Sequence, residues 1–250
     1  MVKNERQGQI FALLSERGYL SVKELSALLY TSESSIRRDL SALEQKRLIR
    51  RSYGGAELTA APSRVIPFNT RSYDNAAQKQ QIAAKAAALI KEGELIFLDQ
   101  SSTCYFLAQA LMDFKSLTVV TNNLEILNLL APTGLTVIAS GGVVSRVTTN
   151  GLIGNSARRT FGEIYADWMF FSAKALSADG VITDCTQEET HVREMMLKNA
   201  KKRVFLCDEA KINTRSSYRQ CDLSEIDIAI SEGHGLEPFQ RAFPALIIQR

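Results

Sequence analysis

Three short stretches in the N-terminal quarter of the chain place apolar residues at helical spacing. The first stretch ends before Gly18, the second starts just after Ser21, and the third follows the pair Thr31-Ser32. Ser and Thr at these positions can cap the helices that follow them. The apolar positions are Ile10, Phe11, Leu13 and Leu14, then Val22, Leu25, Leu28 and Leu29, and finally Ile36, Leu40 and Leu43. The spacing predicts three helices, and the short connections between them indicate a helix-turn-helix.

From Glu94 onward, short apolar runs alternate with helical patterns. The runs read ELIFLD, LTVVT, LTVIA, DWMFFSA, RVFLCD and IDIAI, and they are rich in Val, Ile, Leu and Phe. Near-continuous apolar strands that alternate with helices are typical of a parallel sheet covered on both faces. The pattern therefore predicts an α/β fold, with a parallel sheet in the C-terminal part.

A segment without periodicity separates the two parts. Residues 57–74 contain two prolines, which indicates a linker. The alanine-rich stretch that follows predicts a helix ending near Gly93, with Ile82, Ala86 and Leu89–Ile90 as its packed face. The predicted organisation is a winged helix-turn-helix domain at 1–57, a linker at 58–74, and a ligand-binding and oligomerisation domain at 75–250.

Charge is distributed unevenly along the 250 residues. Residues 1–57 carry ten Lys and Arg against seven Asp and Glu, whereas residues 58–250 carry twenty of each. All of the excess positive charge, +3, therefore lies in the N-terminal part. This asymmetry favours an anionic partner for that part.

Other bulk features narrow the class of protein. Apolar residues make up 45% of the chain, which is enough for a substantial core. No run approaches the ~18 apolar residues of a membrane span, and the N-terminus lacks the apolar core of a signal peptide. The four cysteines are scattered without a CxxC pair, and the two histidines complete no zinc spacing. We expect a cytoplasmic protein with free thiols, no membrane contact, no metal and no cofactor.

The third predicted helix carries a polar face opposite its apolar stripe. This face holds Ser34, Arg38, Ser41 and Gln45, with Ser35 and Arg37 beside them. A helix that enters the major groove needs Arg to reach guanine edges or phosphates, and small polar residues to allow close approach. A solvated helix face would also carry charge. The hydroxyls and guanidiniums gathered near one helix terminus favour DNA.

A short strand and a tight turn follow this helix in RLIRRSYGGAEL. Leu48 and Ile49 predict the strand, and Gly54-Gly55 the turn, which together indicate a two-stranded wing. Arg50 and Arg51 on such a wing would lie against the sugar-phosphate backbone. Contacts of this kind add affinity and little sequence information.

Polar residues and glycines follow three consecutive predicted strands. Asp99 and the loop Gln100–Thr103 follow the first strand, Asn122 the second, and Gly141-Gly142 the third. A hydroxyl-rich loop before a helix can bind an anion, although Ser and Thr also serve as ordinary helix caps. Because parallel strands bring their carboxyl ends to one edge, the three ends together favour a ligand site.

The N-terminal part resembles the DeoR family of bacterial repressors. SIRRDLSALEQKRLIRRSYGGA matches the family pattern TIRRDL…LE…G.L.R.HGGA, with Tyr53 in place of His and Lys46-Arg47 in place of Gln-Gly. Tyr53 keeps an aromatic ring at the wing. The resemblance implies a winged helix-turn-helix that binds double-stranded DNA. The predicted contacts are Ser34, Ser35, Arg37, Arg38, Ser41, Arg50, Arg51 and Tyr53.

The C-terminal part resembles the sensor domain of the same family. FLDQSSTC, VVTNN, IASGG and CDEAK are similar to the family's LD.GSTT, VVTNS, L.GG..R and.D.SK. The resemblance implies a fold related to ribose-5-phosphate isomerase and glucosamine-6-phosphate deaminase, and a phosphorylated sugar or related metabolite as effector. It implies that Ser101, Ser102 and Thr103 hold the phosphate. The rest of the site would be Asp99, Asn122, Gly141, Gly142, Arg146, Lys174 and Lys211.

Three classes of function fit these features. The leading one is a ligand-responsive repressor, and it would act as a homo-oligomer, because one recognition helix covers only a few base pairs. A sugar-phosphate isomerase or deaminase with an appended DNA-binding domain is the alternative. Asp99, Glu188, Lys174 and Lys211 could supply its acid and base. A purely architectural DNA-binding protein would not need the large C-terminal domain.

Overall fold

The chain divides into two units, Met1–Asp74 and Asn75–Arg250, in the computed structural model, which describes residues 3–45, 49–58 and 68–249. The elements of the first unit are α1 (Lys3–Arg17), β1 (Tyr19–Ser21), α2 (Val22–Leu28), α3 (Glu33–Gln45), β2 (Ile49–Ser52), β3 (Gly55–Leu58) and α4 (Phe68–Arg71). The three predicted N-terminal helices are confirmed as α1, α2 and α3.

A capping box starts α2 at the predicted residue. The hydroxyl of Ser21 accepts a hydrogen bond from the Glu24 backbone N–H at 3.2 Å, and the Glu24 carboxylate accepts one from the Ser21 N–H at 2.8 Å. The two bonds satisfy backbone donors that would otherwise lack partners at the helix terminus. The sequence signal and the structure agree here because capping is a local effect.

The predicted apolar stripes of the three helices meet in one core. Its members include Ile10, Phe11, Leu14, Val22, Leu25, Leu29, Ile36, Leu40 and Leu43. Leu28 is the exception, because its side chain is 39% exposed. The polar face of α3 is thereby turned to solvent, since the opposite face is buried against α1 and α2.

The wing has three strands rather than the predicted two. Strand β3 pairs antiparallel with β2 and also with β1. Strand β1 was not predicted, because a strand of only three residues gives no clear pattern in the sequence. Leu48 of the predicted first strand lies outside the described residues. Gly54 adopts a left-handed conformation (φ 76°), and a side chain at Gly55 would overlap the carbonyl oxygen of Leu20. Both glycines are therefore needed for the turn.

A short helix lies in the segment predicted as a linker. Helix α4 buries Phe68, and the guanidinium of Arg71 lies 5.8 Å from the centre of the Phe68 ring. One helical turn is too short to give a visible period in the sequence. Residues 59–67 of the predicted linker lie outside the described residues.

The second unit alternates strands and helices. Its elements are α5 (Ala76–Ala87), β4 (Leu95–Leu98), α6 (Ser102–Ala110), β5 (Thr118–Thr121), α7 (Leu124–Leu130), β6 (Thr136–Ala139), β7 (Val143–Val144), β8 (Leu152–Ile153), α8 (Asn155–Glu163), β9 (Ala166–Phe171), β10 (Ala175–Leu176), β11 (Val181–Asp184), α9 (Gln187–Lys198), β12 (Ala200–Leu206), β13 (Tyr218–Asp222), β14 (Ile228–Ile230) and β15 (Ile247–Gln249). Three single turns of 3-10 helix are Glu209–Lys211, Leu223–Glu225 and Glu237–Gln240.

Seven of these strands form one parallel sheet in the order β15-β14-β12-β9-β4-β5-β6. Alternate residues of β4 face opposite cores, because Phe97 packs on one side while Ile96 and Leu98 pack on the other. The predicted α/β fold with a covered parallel sheet is confirmed, and all six predicted strands are present. Within the described parts of the chain, no helix is both long and apolar enough to cross a membrane.

Several short strands and one helix end differ from the prediction. The antiparallel sheet β10-β11-β13, the pair β7-β8 and the edge strand β15 were not predicted, because two to five residues give no clear period. Helix α5 ends at Ala87 and not near Gly93. After Ala87, the N–H groups of Leu89 and Ile90 form hydrogen bonds to carbonyls three residues earlier, in place of the four-residue spacing of an α-helix. The side chain of Ile90 packs in the core.

Candidate DNA-binding surface and ligand site

Arg37 and Arg38 both leave α3 on its exposed side, but they are held differently. The Nη2 of Arg37 donates to Oε2 of Glu33 at 2.9 Å in an exposed ion pair. Arg38 has no carboxylate partner among the described residues, and its Nε donates only to the Ser34 carbonyl oxygen at 3.4 Å. The Arg38 guanidinium can therefore turn towards a base edge at little cost, and guanine O6 and N7 are its usual acceptors.

A buried carboxylate fixes the orientation of α3. Asp39 is 1% exposed, and its Oδ2 accepts from Nε of Arg6 at 2.5 Å, while Gln7 donates to its Oδ1 at 3.4 Å. The pair joins α3 to α1 and so sets the direction in which the arginines project. Asp39 was not among the residues predicted from the sequence. The signal was its place beside the buried stripe, since a charge there needs a partner.

The predicted serines of α3 differ in their availability. Ser34 is exposed, and its Oγ lies 3.1 Å from Oγ of Ser32, which also donates to the Ser35 hydroxyl at 3.0 Å. The Ser41 hydroxyl donates to the Arg37 carbonyl oxygen at 2.9 Å. Each of the three hydroxyls thus contacts a neighbouring group, and Ser34 is the most exposed of the three residues.

The wing arginines are also paired with groups of the protein. Arg50 contacts Oε1 of Glu57 at 2.6 Å on the paired strand β3, and Arg51 donates from Nη1 to the Ser41 hydroxyl at 3.1 Å. The second contact closes the wing onto α3. Tyr53 at the wing tip is fully exposed. A groove of about 320 Å³ lies between α3 and the wing, lined by Val22, Arg37, Glu44, Arg51, Ser52, Tyr53, Gly54 and Gly55.

Replacing Glu57 with Gln is expected to tighten binding to any DNA duplex by about twofold to fivefold. Glu57 holds Arg50 in an exposed pair, and such pairs are worth about 0.2–1 kcal/mol. Removing the carboxylate frees the guanidinium for phosphate. Fluorescence anisotropy on random-sequence duplex measures the change. The matched control is Glu163→Gln, which breaks a similar exposed pair with Arg159 in the second unit. Equal affinity of Glu57→Gln and wild type would remove Arg50 from the interface.

The loop after β4 forms the start of α6. Ser101 is the residue that caps this helix, because its hydroxyl accepts from the Cys104 N–H at 3.1 Å. The first helical bond runs from the Tyr105 N–H to the Ser101 carbonyl at 3.2 Å, so the N–H groups of Ser102 and Thr103 lie ahead of it. The hydroxyl of Thr103 is buried and lacks a hydrogen-bond partner among the described residues.

Gln100 and Asn150 join this loop to its neighbours. Gln100 belongs to the predicted loop, whereas Asn150 was not predicted. Asn122 donates from Nδ2 to Oε1 of Gln100 and to the Leu152 carbonyl, each at 3.1 Å. Asn150 donates to the Gln100 carbonyl at 3.0 Å. The end of β5 and the loop before β8 therefore meet at Gln100. The Oδ1 of Asn122 is a second buried atom without a partner in the described part of the chain.

The other predicted site residues lie at neighbouring strand ends. Gly141 and Gly142 follow β6 in left-handed conformations, and a side chain at Gly142 would overlap the Ile153 carbonyl oxygen. Arg146 and Lys174 are exposed, and neither forms an ion pair within residues 68–249. These two cations are free to meet a ligand.

Asp99 does not face an open site, contrary to the simplest picture of a ligand-lining residue. Its carboxylate accepts from Nε of Arg193 at 2.9 Å and from the Ser101 N–H at 3.0 Å. Arg193 is 2% exposed and also contacts Asp184 at 2.8 Å. Burial alone would lower the pKa of Arg193, but the Asp184 and Asp99 carboxylates raise it, so the guanidinium stays charged.

Lys211, another predicted ligand contact, is engaged within the protein. Its Nζ donates to the Ser172 hydroxyl at 2.8 Å and pairs with Oδ2 of Asp208 at 3.0 Å. Its side chain keeps 19% exposure. Lys211 can therefore reach solvent or a ligand only by sharing its donors with these two partners.

Comparisons with known proteins agree with this arrangement. A family model described as a DeoR-like helix-turn-helix domain matches residues 6–61, and one described as a DeoR C terminal sensor domain matches residues 74–233. The second match covers more than half of the chain. Together the two matches extend across both units.

Curated relatives resemble the chain over nearly its whole length. The HTH-type transcriptional regulator GolR of Listeria innocua is 36% identical over 91% of this chain and 90% of its own. The glycerol-3-phosphate regulon repressor of Haemophilus influenzae is 31% identical over 91% of this chain and 88% of its own. Among solved structures, ribose 5-phosphate isomerase A of Methanocaldococcus jannaschii aligns with 56% of this chain and 55% of its own, at 17% identity and a TM-score of 0.42. The chain belongs to the DeoR family of transcriptional regulators.

Proposed function

We propose that the chain is a repressor whose affinity for operator DNA changes when a small phosphorylated sugar or related metabolite binds at the end of β4. The carrying observation is the Thr103 hydroxyl at the start of α6, which is buried and has no hydrogen-bond partner among the residues that the structure describes. Buried polar groups normally have partners, so one at such a place indicates a ligand or ordered water. The N-terminus of α6 favours an anionic ligand.

The site offers donors of three kinds to a phosphate. The N–H groups of Ser102 and Thr103 come from the backbone, and their hydroxyls from the side chains. Arg146, in the loop between β7 and β8, and Lys174, after β9, add exposed positive charge. Hydrogen bonds between charged groups are roughly twice as strong as neutral ones, so a dianion would be favoured over a neutral sugar.

Asp99 and Asn122 have different roles in this proposal. Asp99 holds the loop in place, because both of its oxygens are used inside the protein. The Oδ1 of Asn122, which has no partner in the described ranges of the chain, suits a sugar hydroxyl. Gly141 and Gly142 let the backbone after β6 approach the ligand closely.

The same contacts argue against turnover. A general base needs a free lone pair within reach of the substrate. Of the four acid and base candidates, the Asp99 carboxylate is paired with Arg193 and Lys211 is paired with Asp208, so these two are not poised for proton transfer. The names of the relatives, a transcriptional regulator and a glycerol-3-phosphate regulon repressor, also support a sensor. We propose that the ligand acts as a signal, and that the chain works as a homo-oligomer on paired half-sites.

The double change Ser102→Ala and Thr103→Ala is expected to abolish the response to phosphorylated sugars and leave DNA affinity intact. A thermal-shift screen on the wild type identifies the ligand, because a ligand that binds the folded state raises apparent stability. Calorimetry then compares the two proteins. The control is Thr133→Ala. It removes a hydroxyl that lies just after the C-terminal end of α7 and donates to the Leu130 carbonyl oxygen. Unchanged ligand affinity in the double variant would place the phosphate elsewhere.

A further inference from the structure

A second polar cluster lies at the ends of β9 and β12. Ser172 follows β9, and its hydroxyl donates to the Leu206 carbonyl at 2.6 Å and accepts from Lys211 at 2.8 Å. Asp208 follows β12, is 2% exposed, and pairs with Lys211 at 3.0 Å. Two of the three ammonium donors of Lys211 are thus assigned, which leaves one for another acceptor.

The cluster adjoins the loop proposed to bind phosphate. Strands β9 and β4 are neighbours in the sheet, with Leu98 opposite Phe170. The Asp99 N–H donates to the Phe170 carbonyl at 3.3 Å, and Ser172 lies two residues farther along β9. The ends of parallel strands lie at one edge, so Ser172 is one strand away from the start of α6, and Lys211, which follows β12, reaches towards it through its contact with Ser172.

The cluster also holds the residue at which the second unit begins. Asn75 caps α5 with a left-handed backbone (φ 50°) and donates from Nδ2 to Oδ1 of Asp208 at 3.4 Å. Lys79, one turn into α5, is 4% exposed. Burial alone would raise the pKa of Asp208, but Lys211, then Lys79 and Asn75, outweigh it and lower the pKa, so Asp208 remains an anion.

We propose that Asp208 couples ligand binding to the start of the second unit, by holding Lys211 on one side and Asn75 on the other. This inference rests on the proposed function. A phosphorylated ligand at the neighbouring loop is a competing acceptor for the Lys211 ammonium. When Lys211 turns to the ligand, Asp208 loses its main partner and shifts, and Asn75 shifts with it. Because the second unit begins at Asn75, the shift reaches the point at which the chain arrives from the DNA-binding unit.

The coupling predicts an effect without any ligand. Lys211→Gln removes the charge from Asp208 and so imitates the ligand-bound state. We expect its DNA affinity to differ from that of the wild type by about fivefold or more, the usual lower bound of coupling between two sites. Hydrogen exchange at residues 75–80 should also be faster. Both are measured on the full chain, by fluorescence anisotropy on an operator selected from random DNA and by mass spectrometry.

Three further variants separate coupling from a loss of packing. Lys85→Gln removes another lysine contact of α5, to the Ser231 carbonyl at 2.9 Å, and is expected to leave DNA affinity unchanged. Asp208→Asn should shift DNA affinity in the same direction as Lys211→Gln. The double variant should shift it no further, because both changes break one link.

Two outcomes would overturn the inference. One is wild-type DNA affinity in Lys211→Gln, with a circular dichroism spectrum that shows it to be folded. The other is a double variant whose effect is the sum of two independent losses. Failure of the proposed function has a different signature, since it appears as a wild-type DNA affinity that no phosphorylated sugar changes. The ligand-free comparison of variants can be read in either case.

Discussion

Replacing Arg193 with Met is expected to lower the free energy of unfolding of the second unit by about 3–5 kcal/mol, the usual cost of breaking a buried ion pair from one side. Arg193 is 2% exposed and contacts Asp99, Asp184 and Gln220 at 2.8–2.9 Å. Met fills much of the same volume but carries no charge. The variant leaves the Asp99 carboxylate buried without its counterion, and this causes most of the loss.

Urea denaturation followed by tryptophan fluorescence measures this change, because Trp168 lies on β9 in the second unit. The matched control is Arg159→Met, which breaks an exposed pair with Glu163 and should cost at most about 0.5 kcal/mol. A similar small cost for Arg193→Met would contradict the prediction. It would show that Asp99 finds other partners, and that the ligand loop does not depend on Arg193.

Arg38→Ala is expected to weaken binding to the selected operator by about 1–3 kcal/mol, and binding to random duplex much less. The reason is that Arg38 is exposed on α3 and is paired with no carboxylate within residues 3–45, 49–58 and 68–249. The variant Arg37→Ala serves as the comparison for Arg38→Ala. Arg37 is paired with Glu33, so Arg37→Ala should reduce affinity for both duplexes by a smaller and similar factor.

Anisotropy titrations on both duplexes, each at two salt concentrations, give the ratio of specific to random affinity. A contact to a base lowers this ratio, whereas a contact to phosphate lowers both affinities and makes the salt dependence shallower. Equal losses on the two duplexes for Arg38→Ala would assign Arg38 to the phosphate backbone. The base-reading role on α3 would then fall to another residue.

Much of the fold could be predicted from the sequence. The six strand candidates are present because each is a near-continuous apolar run, which a doubly covered parallel strand requires. Ser21 was identifiable as a cap because the capping box is local. Strand β15 and the three-residue β1 were missed, since their existence depends on partners distant in the sequence.

The residues of the candidate site could be predicted from the sequence, but their hydrogen bonds and ion pairs could not. Strand-end residues such as Ser102 and Asn122 stand out as polar breaks after apolar runs. The buried charged residues that pair with them do not stand out, because the periodicity of apolar residues cannot show that a charged residue is buried. Arg193 lies between Val192 and Met196 on a buried helix face, and its role became visible only when Asp99 and Asp184 were seen around it. Asp39 in the first unit is a second case.

The most direct test of a ligand-responsive repressor is the affinity for the phosphorylated ligand, measured by calorimetry on the free protein and on the protein saturated with operator. Coupling between two sites is reciprocal. The two ligand affinities should therefore differ by the same factor by which the ligand changes operator affinity. A sensor function for the second unit would be contradicted if the ligand affinity were the same in the free and the DNA-bound protein and the operator affinity were the same with and without ligand.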